Sequence, residues 1–138
     1  MALTGGCQCG RVRYEIAARP LEIYVCHCRE CRKQSASAFG ISVIVPAAAF
    51  RVTQGAIKKW TRPADSGNVV VCHFCANCGS RVWHDAPGQA TISVKGGSLD
   101  APVDLSGAAH IWTARKLKGV VIPEGVAQYA GEPAVASP

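Results

Sequence analysis

At 138 residues, with 49% hydrophobic and 17% charged residues, the chain is long enough to bury a core and too apolar to remain disordered. No apolar run approaches the ~18 residues of a membrane span, and the first residues lack the character of a secretory leader, so a soluble, cytoplasmic protein is expected. The formal charge of +6 counts every thiol as neutral, so each thiol that ionises lowers it.

Taken in chain order, period-two alternation predicts strands around Val12, Tyr14 and Ile16, around Ile23 and Val25, and around Ile41, Val43 and Val45. Further strands are predicted at 56–61, 69–74, 81–84, 90–94 and 119–122. Helical character is confined to a turn or two at 29–37 and a short piece at 46–50. No fixed-period repeat and no long linker interrupts the pattern. The expectation is a mainly β fold, one domain over residues 1–138, with a loose tail from about residue 130.

Eight cysteines punctuate this pattern as Cys7-Gln8-Cys9-Gly10, Cys26-His27-Cys28-Arg29-Glu30-Cys31, a lone Cys72, and Cys75-Ala76-Asn77-Cys78-Gly79. In a reducing compartment such spacings point to metal ligands, and a disulfide framework is the disfavoured alternative. Neighbouring side chains on an extended strand diverge, so Cys7 and Cys9 can meet one ion only if a turn bends the chain. Gly10 and Gly79, each directly after a cysteine, can take the positive φ of a tight loop and aim backbone amides at sulfur. Cys7, Cys9, Cys75 and Cys78 therefore read as the halves of one structural tetrathiolate clamp. No glycine follows Cys26, Cys28 or Cys31, and no fourth ligand lies close by, which suggests a zinc with an open position. His27, between two ligands on extended backbone, reads as a core or supporting residue, and no βαβ context supports a redox Cys28-x-x-Cys31. Cys72 reads either as a packed thiol or as a fourth ligand that would close the open site.

These residues, with Gly6, Val12, Tyr14, Arg32-Lys33, Phe74, Ser80, Gly97-Ser98-Leu99-Asp100 and His110-Ile111, resemble the glutathione-dependent formaldehyde-activating enzyme family, which includes the centromere protein V relatives. The resemblance implies stacked antiparallel sheets with zinc-binding knuckles. It also implies structural zinc on Cys7, Cys9, Cys75 and Cys78, and catalytic zinc on Cys26, Cys28 and Cys31; three ligands hold metal less tightly than four, so the open site is expected to be the more readily emptied. The implied activity is that of a zinc-dependent carbon–sulfur lyase-type enzyme: glutathione, as co-substrate, adds as thiolate to formaldehyde or a related small carbonyl, giving S-hydroxymethylglutathione. Arg32 or Lys33, beside the triplet, is expected to hold a glutathione carboxylate. The alternative is a non-enzymatic zinc module that engages a partner or nucleic acid through basic clusters at Arg29, Arg32 and Lys33, at Lys58, Lys59 and Arg62, and at Arg115, Lys116 and Lys118. Nucleic acid is disfavoured because no basic stripe interleaved with exposed aromatics stands out. His27, His73, His84 and His110 are all candidates for proton transfer, and the spacing does not choose among them.

Overall fold

A computed structural model describes residues 2–64 and 67–133, so the last part of the expected loose tail, 134–138, lies outside the described residues. The fold is mainly β, and the chain packs as two compact units, one from the segments up to 21 and 43–103, the other from 22–42 and 104 onward. No helix is long and apolar enough to cross a membrane.

The first unit stacks two sheets. Strands β1 (Leu3–Gly6), β2 (Arg13–Ile16) and β5 (Phe50–Gln54) form one antiparallel sheet in the order β1-β2-β5. The other runs in the order β4-β9-β8-β7-β6, from β4 (Gly40–Pro46), β6 (Ile57–Pro63), β7 (Val69–Cys75), β8 (Arg81–Asp85) and β9 (Thr91–Lys95). Alternation sends Val12, Tyr14 and Ile16 inward together, and all three are buried, as are Val43, Val45, Val82 and Val94. The sheets meet through Phe50, whose ring lies 4.7 Å from Trp83 and 5.1 Å from Tyr14. Such close aromatic contacts add to the area they bury.

Strand β1 escaped the sequence pattern because Leu3-Thr4-Gly5-Gly6 has little apolar alternation. Its glycine is needed for proximity: a Cβ on Gly5 would lie 2.3 Å from the Tyr14 hydroxyl and 2.5 Å from the Ser98 carbonyl. That hydroxyl is hydrogen-bonded at 2.7 Å to Ser98 Oγ, which donates to the Lys95 carbonyl. Burial pushes the Tyr14 phenol up to about 12, keeping it a neutral partner. Asp100 then pins the loop to Arg13 and accepts from Thr4 Oγ1 at 2.7 Å. The Arg13 guanidinium, with Thr4, holds the Asp100 carboxyl down at about 2.

Two local expectations change. Residues 46–50 hold only a 3-10 turn at Ala47–Ala49, because Phe50 already opens β5 and pairs with Ile16. Residues 119–122 form no strand: Val120 N closes a turn onto Leu117, Lys116 Nζ takes the Val120 carbonyl at 2.7 Å, and Val121 is 85% exposed.

In the second unit β3 (Glu22–Cys26) pairs with β10 (Ala109–Ile111) in parallel, a departure from the antiparallel expectation. Three residues are too few to show a period, so β10 left no sequence signal. The helix α1 (Arg29–Ser35) begins at Cys28, whose sulfur accepts the Cys31 amide, and ends where Ala36 turns left-handed with φ 50°. Glu30 in the first turn and Arg32 and Lys33 in the last suit its dipole. Residues 130–132 of the expected loose tail are held: the Ala130 and Gly131 carbonyls accept from Ala114 and Trp112, and Glu132 accepts from the Trp112 indole.

Candidate functional site

The Sγ atoms of Cys7, Cys9, Cys75 and Cys78 lie within 4.8 Å of one another. Their neighbours are spaced at 3.5 Å for Cys7 to Cys9 and 3.8 Å for Cys9 to Cys75, against an edge of about 3.8 Å for a tetrahedron with ~2.3 Å zinc–sulfur bonds. Two loops build the group. Gly10 and Gly79 take φ +82° and +80°, and a Cβ at either would meet nothing, so the requirement at both is conformational rather than steric. The loops turn amides toward sulfur: Val12 N donates to Cys7 Sγ at 3.2 Å, and Asn77 N and Cys78 N donate to Cys75 Sγ at 3.3 and 3.4 Å. Ser80 ties the loops together by accepting from Gln8 N at 3.1 Å and touching Cys78 Sγ at 3.2 Å. The Ser80 hydroxyl and its amide bring the Cys78 thiol down to about 5, which favours the thiolate a cation needs. This donor set fits a closed zinc site, and Ser80 is a contributor that spacing alone did not single out.

Cys26, Cys28 and Cys31 form the other sulfur group, also within 4.8 Å. Cys26 ends β3 opposite Ile111 of β10, while Cys28 and Cys31 come from the cap and first turn of α1. A Cβ on Gly40 would stand 3.1 Å from that of Cys31, so glycine there lets β4 pass the helix closely. Cys26 and Cys31 are buried and Cys28 is half-buried. Hydrogen bonds from Cys26, Cys31 and nearby amides bring the Cys28 thiol down to about 2, whereas the same sulfur contacts and burial raise Cys26. The lowered Cys28 thiol favours the thiolate form that a cation needs. Soft sulfur donors of this kind suit zinc, and among the described residues no fourth cysteine, histidine or carboxylate joins them.

His27 lies outside both groups. It is fully buried, its Nε2 is 2.8 Å from His110 Nδ1, its ring stands edge-on to Phe39, and its own Nδ1 has no partner. Burial lowers both histidines, so the pair is neutral with one hydrogen between them. His73 stacks on Trp83 at 4.1 Å with Nε2 against the Asp85 carboxylate, and His84 Nδ1 is 2.6 Å from Lys95 Nζ. Cys72 is 2% exposed on β7, between Trp60 and His84 in register, and belongs to neither sulfur group. Arg32 has a buried Nε without a partner, and Lys33 is exposed.

A family model described as glutathione-dependent formaldehyde-activating enzyme matches residues 2–115, a span containing both sulfur groups. The chain belongs to this glutathione-dependent formaldehyde-activating enzyme family. This family member is similar to a Halomonas elongata protein named, provisionally, as a glutathione-dependent formaldehyde-activating enzyme, with 30% identity over 93 residues, 60% of this chain and 55% of the relative. The chain thus spans about half the length of that relative. A crystal structure of a Rhodobacter sphaeroides protein shares the fold of this family member at a TM-score of 0.54 and 20% identity, covering 91% of this chain and 98% of that one.

Proposed function

We propose that this chain is a zinc-dependent carbon–sulfur lyase-type enzyme, which in the synthetic direction joins glutathione to formaldehyde or a related small carbonyl to give S-hydroxymethylglutathione. The observation that carries the reading is the inequality of the sulfur groups: one offers a full set of four donors, the other three donors with none of the described residues as a fourth. A zinc ion bound by Cys26, Cys28 and Cys31 would supply an open position that holds a visiting thiol as thiolate. The chain's own part is to orient the visitor. Cys26 and Cys31 form a buried floor, so the thiol approaches on the side of half-buried Cys28. Arg32, with its unpartnered Nε, and exposed Lys33 are the cations that hold a glutathione carboxylate. In the reaction the thiol S–H bond breaks, a C–S bond forms, and the carbonyl electron pair takes up the proton as a hydroxyl. The lyase direction reverses each change. Cytoplasmic residence, where all eight free cysteines stay reduced, belongs to the same reading. So does a single domain, supported by one family model that runs through both units.

The test is the rate at which glutathione and 13C-labelled formaldehyde reach equilibrium, followed by NMR. Zinc-loaded protein is expected to raise the rate of both directions in proportion to its concentration, and a rate equal to that of buffer overturns the proposal. One observation favours the binding-module reading: Trp60 is 50% exposed on edge strand β6, Arg81 covers its ring at 5.5 Å, and Lys58 and Lys59 precede it. Salt-dependent binding of single-stranded nucleic acid at Trp60 would support this reading, with an unchanged reaction rate.

A further inference from the structure

The surroundings of the triplet are more aromatic than a one-carbon substrate needs. Cys26, Cys31 and Ile111 form a small buried cluster, and the half-buried side chains packed against it are Cys28, Tyr24, Trp112 and Tyr129. Tyr24 and Cys26 share a face of β3 by alternation, opposite Ala109 and Ile111. Trp112 reaches the same cluster by another route. Directly after Ile111 on a continuing strand it would turn to the opposite face, but it takes the left-handed conformation, φ 55° and ψ 39°, rare for a large side chain.

A segment beyond the family match holds it there. The family model ends at 115, yet His110 N donates to Ala127 at 2.9 Å and Tyr129 N to His110 at 2.9 Å. Thr113 N donates to Tyr129 at 3.1 Å and Trp112 N to Gly131 at 2.9 Å. Glu132 takes the Trp112 indole hydrogen at 2.8 Å. The strap therefore fixes Trp112 in an unfavoured backbone state and adds Tyr129 beside it. A strained backbone held by surrounding bonds is a recurrent feature of ligand sites.

We propose that Tyr24, Trp112 and Tyr129 form an aromatic rim that selects substrates by an apolar substituent on the carbon joined to sulfur, so that carbonyl compounds bearing an aryl or alkyl group are preferred to formaldehyde. The inference rests on the proposed reaction and narrows its substrate class. Formaldehyde brings no apolar surface to the rings, whereas a phenyl group buries its faces against them. The strap is the part of this chain that sets the preference.

Binding of S-benzylglutathione, S-methylglutathione and free glutathione to the zinc-loaded chain tests this, read by calorimetry and tryptophan fluorescence. S-benzylglutathione is expected to bind at least about 10-fold more tightly than S-methylglutathione. Its fluorescence response should vanish in Trp112→Phe, and Tyr129→Ala, checked for metal content and melting, should reduce the ratio to about 2-fold or less. Should Tyr129→Ala fail to fold, the wild-type ratio and the Trp112→Phe signal decide the matter. Equal affinities in the wild-type chain, or a response that survives Trp112→Phe, overturns the rim while leaving the proposed reaction standing if glutathione itself binds. Failure of all three compounds to bind overturns both.

Discussion

Cys78→Ser is expected to lower the melting temperature by roughly 10 °C or more and to remove one zinc. Zinc contributes an apparent free energy of about 10–16 kcal/mol when it organises a small site, or about 2.5–4 kcal/mol for each of four thiolates. That share is a large fraction of the ~5–15 kcal/mol net stability of a domain, and a chain of this length turns it into a sizeable shift. The geometry makes the loss global within its unit. Cys7 and Cys9 follow β1 and Cys75 ends β7, so the clamp fastens segments almost seventy residues apart, and Ser80 loses its sulfur contact as well. Thermal melting followed by circular dichroism, with metal analysis, measures both effects. An unchanged melting temperature would show that the group is not structural.

Cys28→Ser should behave in the opposite way, keeping the fold while losing one zinc and lowering the protein-dependent rate by at least about 100-fold. A hydroxyl is a poor replacement for a soft thiolate, and even the loss of a partner behind a metal ligand costs about 10–100-fold. Stability is spared for a local reason. Cys28 caps α1 by accepting the Cys31 amide at 3.3 Å, and serine is itself a preferred cap, so the helix start survives the exchange. Rate measurement beside a melting curve checks the prediction. Unfolding would place the triplet among the structural elements, and an unchanged rate would remove it from the chemistry.

The division of the sulfurs was legible because it depends on spacing and on the residue after each cysteine. Gly10 and Gly79 show the conformation their positions required, and the absence of glycine after Cys31 matches its place inside a helix. The longer strands were legible too, since Tyr14, Val43 and Val45 alternate with residues of the opposite face. What escaped depends on contacts far along the chain. Gly5 forms a strand because Tyr14 and Ser98 lie against it, and β10 exists because β3 offers a parallel edge. The His27 to His110 contact joins residues 83 apart, and neither sequence neighbourhood announces it. The Trp112 conformation is set by Gly131 and Glu132, far along the chain from it.

The central claim is that one sulfur group is complete and the other admits a visitor, and cobalt(II) titration of the metal-free chain tests it most directly. Thiolate-bound cobalt absorbs visibly and reports its ligands. The account predicts two equivalents per chain with distinguishable spectra, of which glutathione alters one and leaves the other unchanged, and Cys28→Ser abolishes the responsive one. A single equivalent, or two that are both indifferent to glutathione, would contradict it.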